Sequence, residues 1–141
     1  MRKILYVVYV GMAVALSACG GGNSRIEVSC DSFYAQAAQS GTIELTPGEQ
    51  FELVLCSNPT TGYQWEDPAI INNPAVLQQT GMIYEAPAGR EQEELAGAPG
   101  AQSWTFKALE AGSTQVALAY SQPWDGGEKG AWSYSLSVTV R

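Results

Sequence analysis

The sequence predicts an all-β domain, an antiparallel β-sandwich or barrel, and three observations carry that prediction. Apolar residues recur with period two in several short runs, turn-forming residues separate the runs, and no segment holds a helical period for long. A chain of 141 residues with strands at this spacing has room for one domain around one hydrophobic core.

At the N-terminus, Arg2 and Lys3 precede an apolar stretch from Ile4 to Leu16, which is short for a permanent membrane span and has the layout of a secretory signal. Leu16-Ser17-Ala18-Cys19, followed by Gly20, Gly21, Gly22, Asn23 and Ser24, resembles a bacterial lipobox. That resemblance implies cleavage after residue 18, a lipidated Cys19, a flexible tether over 19–25 and a folded domain over 26–141. Each buried methylene contributes about 0.8 kcal/mol, so two or more acyl chains anchor a protein durably. Gly20 is not an aspartate retention signal, so the expected location is the bacterial cell envelope, at the outer membrane. The alternative is an ordinary signal peptide with a cysteine near its cleavage site.

Lipidation at Cys19 leaves Cys30 and Cys56, and in an oxidising compartment two remaining thiols predict a disulfide tying the N-terminal segment to the strand ahead of Asn58. Two buried free thiols are the alternative. Residues 34–39 are rich in Ala and Gln and predict a helical turn.

The strand runs follow in order. Phe51, Leu53 and Leu55 alternate with Glu52 and Val54; Trp104, Phe106 and Ala108 alternate with Thr105 and Lys107; Val116, Leu118 and Tyr120 share one parity. Trp132, Tyr134, Leu136, Val138 and Val140 alternate with Ser133, Ser135, Ser137 and Thr139. Each reads as a half-buried strand with one polar face. Turns are expected at Thr46-Pro47-Gly48-Glu49, Asn72-Asn73-Pro74, Ala111-Gly112-Ser113 and Asp125-Gly126-Gly127. Between Glu85 and Ala101 lies the longest stretch without strand pattern, with an acidic run at Glu91, Glu93 and Glu94 that reads as solvated surface.

Composition removes whole classes of function. Loss of the segment bearing Arg2 and Lys3 leaves 14 acids against 5 bases, a net charge of −9 that repels nucleic acid and anionic headgroups. Any membrane contact is therefore expected through the lipid alone. With no histidine there is no Ser/His/Asp triad, Cys/His dyad or histidine-containing zinc site. No phosphate-cradling motif and no spaced Asp/Asn calcium loop appears, and the carboxylates are scattered in turns rather than paired for glycoside chemistry. The chain reads as a non-enzyme without metal or cofactor.

Three segments read as a binding edge. Asn58-Pro59-Thr60-Thr61-Gly62-Tyr63 leaves the strand that ends at Cys56; proline fixes one torsion and glycine allows torsions other residues resist, which predicts a stiff projecting loop with two hydroxyls at its tip. An ordinary hairpin uses the same residues, and composition does not separate the two. Gln122-Pro123-Trp124 follows a strand end and places an indole either at an interface or over the end of the sandwich. Gly97-Ala98-Pro99-Gly100-Ala101 precedes the Trp104 strand and is a weak signal alone.

In their order and approximate spacing these segments resemble the chagasin family of cysteine peptidase inhibitors, over about residues 41–140. The first motif matches in full. The family usually has glycine where Pro99 and a neighbouring residue stand, and arginine where Gln122 stands. The resemblance implies an immunoglobulin-like antiparallel β-sandwich whose three loops enter the cleft of a papain-like cysteine peptidase. It implies reversible, non-covalent inhibition by a monomer. The peptidase-binding set is then Asn58, Pro59, Thr60, Thr61, Gly62, Tyr63, Gly97, Pro99, Gly100, Gln122, Pro123 and Trp124. A carbohydrate- or protein-binding surface lipoprotein without inhibitory activity, and a purely structural lipoprotein, are the competing readings.

Overall fold

A computed structural model describes residues 23–87 and 97–141. The expected signal peptide, Cys19 and the acidic run at Glu91, Glu93 and Glu94 lie outside the described residues.

The chain forms β1 (Ser24–Val28), α1 (Cys30–Ala35), β2 (Ala38–Leu45), β3 (Gln50–Ser57), a 3₁₀ turn (Pro59–Thr61), β4 (Gln64–Trp65), β5 (Ile70–Ile71), β6 (Leu77–Glu85), β7 (Gly100–Ala108), β8 (Gly112–Ser121) and β9 (Trp132–Val140). One sheet has the order β1-β3-β7-β6; the other has the order β2-β9-β8-β4, with β5 also on β8. The expected two-layer sandwich is present, and all four runs read from alternation are strands.

Period-two patterning builds the core. Phe51 opposes Phe106 and Leu53 opposes Trp104 across β3 and β7, while Val116 opposes Leu136 and Leu118 opposes Tyr134 across β8 and β9. All eight side chains are buried in one cluster, and Phe51 and Phe106 stack at 5.1 Å between ring centres. Apolar burial of this kind is worth about 1.5–3 kcal/mol for each large side chain.

Four features depart from the expectation. Val54, assigned by alternation to the polar face, is buried, so β3 is covered on both sides over much of its length. The helix begins earlier than residues 34–39. Ser29 caps it, its Oγ accepting the N–H of Ser32 at 3.2 Å, and buried Phe33 anchors it, while Gln36 is already extended. Residues 38 and 39 belong to β2, whose pairing with β9 overrides the local Ala/Gln composition. The tether expected over 19–25 gives way to strand at Ser24, and Arg25 makes an ion pair with Glu52 at 2.6 Å.

The N-terminal strands also run parallel to their partners, β1 to β3 and β2 to β9, whereas the other pairings are antiparallel. The expected disulfide is formed: Cys30 opens α1 and bonds Cys56 on β3, with 5.0 Å between their Cα atoms.

Candidate functional site

β3 ends at Ser57 and the chain turns at once. Pro59 opens the 3₁₀ turn, where its missing N–H is no loss, and Gly62 closes it at φ +84°, a left-handed conformation that side-chain-bearing residues resist. Within the turn, Thr61 N–H donates to Asn58 O at 3.2 Å and Gly62 N–H to Pro59 O at 3.1 Å. The hydroxyl of Thr61 donates to Asn58 O at 2.7 Å, and that of Thr60 donates to Asn58 Oδ1 at 2.5 Å. Pro59, Thr60 and Thr61 stand exposed at the tip.

Asn58 ties this turn to two distant segments. Its backbone N–H donates to the hydroxyl of Tyr120 near the end of β8 at 2.8 Å, and its Nδ2 donates to the carbonyl of Gly97 at 2.8 Å. Gly97 has φ +93°. Further along, a Cβ on Gly100 would stand 2.3 Å from the carbonyl oxygen of Glu85, so glycine there permits the close approach with which β6 and β7 begin to pair. Pro99 is exposed between the two glycines.

The third segment leans on the first. A Cβ built on Gly62 would lie 2.7 Å from Cη2 of Trp124, which places the indole edge directly over the glycine. The ring is still 49% exposed, so it neither fills the core nor stands free. Its loop is braced internally: Gly127 N–H donates to Trp124 O at 3.1 Å, and Lys129 Nζ donates to the carbonyls of both Gln122 and, at 2.8 Å, Trp124. Gln122 accepts the N–H of Glu128 on its Oε1 at 2.9 Å. Its side chain is used within its own loop.

Tyr63 connects the first and third segments a second time. Its ring stacks on Tyr120 at 5.5 Å, and its hydroxyl donates to a carboxylate oxygen of Glu128. That hydrogen bond, followed by desolvation and the nearby negative charge, raises the phenol above the usual tyrosine range. Beneath the loops, Trp65 donates its Nε1–H to Cys56 O at 2.8 Å, and the rings of Trp65, Tyr120, Trp132 and Phe33 lie in mutual contact. The loops therefore rest on a rigid aromatic floor.

All three segments read from the sequence thus meet at one end of the sandwich. Patterning did not expose the roles of Tyr120, Glu128 and Lys129. The only signal for the last two was a pair of charges just after Asp125-Gly126-Gly127. Among the described residues no group of three His, Cys, Asp or Glu side chains is arranged to hold a metal ion. The tip carries hydroxyls and an indole, groups suited to hydrogen bonding and apolar contact.

A sequence model of the family described as chagasin family peptidase inhibitor I42 matches residues 44–138. Amoebiasin-2 of Entamoeba histolytica is 27% identical over 118 residues, which cover 79% of this chain and 92% of that protein. The crystal structure of the cysteine protease inhibitor EhICP2 from Entamoeba histolytica superposes with a TM-score of 0.61 at 21% identity, covering 86% of this chain and all of that one. PbICP-C, solved in complex with falcipain-2, superposes with a TM-score of 0.55 at 19% identity, over 84% of this chain and all of that one.

Proposed function

The chain belongs to the chagasin family of peptidase inhibitors, and on that premise we propose that its Asn58, Gly97 and Trp124 loops enter the active-site cleft of papain-like cysteine peptidases as one preformed wedge. The observation that carries this reading is the stitching of the loops through Asn58, with Trp124 seated on Gly62. A binding surface ordered in advance loses little conformational entropy on docking, so more of its contact energy survives as affinity.

The tip resists being treated as substrate. Pro59–Thr61 are held in a 3₁₀ turn rather than an extended strand, and Asn58 accepts three hydrogen bonds within the turn that keep it so. With no reactive group at the tip, inhibition is reversible occlusion. Thr60 and Thr61 stand at the centre of the wedge, with Trp124, Pro123 and Gln122 on one flank and Gly97, Pro99 and Gly100 on the other. The inhibitor acts as a monomer.

Trp124 is the exposed aromatic anchor of this surface. Replacing it with alanine removes a contact of about 2 kcal/mol, the scale of an interfacial hot spot. Trp124→Ala is expected to raise the inhibition constant for papain about 30-fold, with little change in thermal stability because half the ring is already in water. An unchanged inhibition constant would remove the third loop from the interface.

We further propose that Cys19 is lipidated and holds the domain at the bacterial envelope, at the outer membrane. Sheet order supports a useful geometry. β1 runs parallel to β3 with Ser24 beside Phe51, so the N-terminal chain joins the domain at the end opposite Ser57 and the loops. Eight residues of β3 at about 3.3 Å each separate the two ends. A tether at that position directs the wedge away from the membrane. Metabolic labelling with a fatty acid is expected to mark the wild-type protein and not Cys19→Ser; equal labelling of both contradicts lipidation.

A further inference from the structure

We infer that α1, fastened by the Cys30–Cys56 bridge, gives the bound peptidase a fourth contact beyond the three loops, with Tyr34 and the hollow beside it receiving one apolar side chain from the rim of the cleft. This rests on the wedge described above.

Consecutive residues of α1 have opposite fates. Phe33 is 1% exposed and belongs to the core, whereas Tyr34 is 69% exposed. Such exposure of a large aromatic ring, next to a projecting loop, is the usual condition of an interface anchor rather than of a packing residue. Tyr34 meets the edge of Trp132, with ring centres 5.4 Å apart at 82°.

The hollow has a volume of about 260 Å³ and is half open. Tyr34, Tyr63, Tyr120, Ala131 and Trp132 line it together with Asn58 and Thr61 of the first loop, and no lining residue is charged. Its floor is stiff, because Trp132 stacks on Tyr120 at 4.9 Å and on Phe33 at 5.0 Å. It is smaller than the roughly 300–1,000 Å³ of small-molecule sites, which fits a side chain better than a free ligand. Since Asn58 and Thr61 belong both to the hollow and to the central loop, a peptidase seated on Thr60 and Thr61 also covers its mouth.

One further fact favours a built contact. The bridge joins Cys30, the first residue of α1, to Cys56, two residues before Asn58, and so fixes the helix to the strand that carries the central loop. Tyr34 is thereby held in register with the wedge.

The test uses the chain from Gly20 onward with its disulfide intact and papain as the peptidase. Tyr34→Ala is expected to raise the inhibition constant about tenfold, mostly through faster dissociation, while Tyr34→Phe stays within about twofold of wild type. Nitration of Tyr34 by tetranitromethane is expected to be rapid in the free inhibitor and suppressed in the complex. Wild-type inhibition with Tyr34→Ala unaffected overturns the fourth contact and leaves the wedge standing. Weaker inhibition with Tyr34 still nitrated in the complex also overturns it, since the residue would then only support the loop. A wild-type domain that fails to inhibit overturns the wedge and this contact together.

Discussion

Gly62→Val is expected to weaken inhibition about 100-fold or more while leaving a folded sandwich. Two costs fall on the same residue. At φ +84° a β-branched side chain is strained by roughly 1–2 kcal/mol. The new Cβ would also lie 2.7 Å from Trp124 Cη2, so the indole must leave its seat. Strain in the first loop and displacement of the third remove two parts of the wedge at once, together about 3 kcal/mol, and each 1.4 kcal/mol is tenfold in affinity. None of this reaches the core: Gly62 and Trp124 both lie outside the buried cluster. Inhibition assays paired with thermal denaturation separate the effects. Near-normal inhibition by a folded Gly62→Val domain contradicts the coupling of the two loops.

Removal of the disulfide acts on the other side of the ledger, on stability. Closing a loop of 26 residues restricts the unfolded chain by about 3.5 kcal/mol in the chain-entropy description. A domain of this size is stable by roughly 5–15 kcal/mol, so the bridge is a large fraction of the whole. The double variant Cys30→Ser with Cys56→Ser is expected to lose about 3 kcal/mol in denaturant unfolding, with a drop of roughly 10–15 °C in thermal midpoint. Inhibition measured well below that midpoint falls much less, because the bonds from Asn58 to Gly97 and Tyr120 do not pass through the bridge. A loss under 1 kcal/mol would mean that the strands and α1 hold the N-terminal segment without it.

Strands were legible where burial is one-sided or aromatic. β8 and β9 alternate cleanly because each presents one face to the core, β7 does so from Trp104 onward, and Trp104, Phe106, Leu118 and Tyr134 mark that face. β6 was not legible: its ladder slips between Gln79 and Gly81, and a slip of that kind breaks the period on which recognition depends. β2 escaped notice because its inward positions include Gly41, where a Cβ would come within 2.6 Å of the Tyr134 hydroxyl. Close packing there demands the absence of a side chain, which leaves no apolar signal to read.

The site was half legible in the same physical sense. Pro59 and Gly62 announce a stiff turn locally, and the left-handed torsion at Gly62 bears that out. What joins the loops is not local. Asn58 reaches Gly97 across 39 positions and Tyr120 across 62, contacts that only the completed sandwich creates. Tyr34 is the clearest case: within an Ala/Gln-rich segment it looks like filler, and only the capped helix and its bridge to β3 turn it toward the loops.

The most direct measurement is a titration of active papain with the soluble domain from Gly20 onward. The three-loop wedge predicts stoichiometric loss of activity that is recovered on dissociation, with the inhibitor released intact. Full peptidase activity at micromolar inhibitor, or cleavage within 58–63, would contradict it.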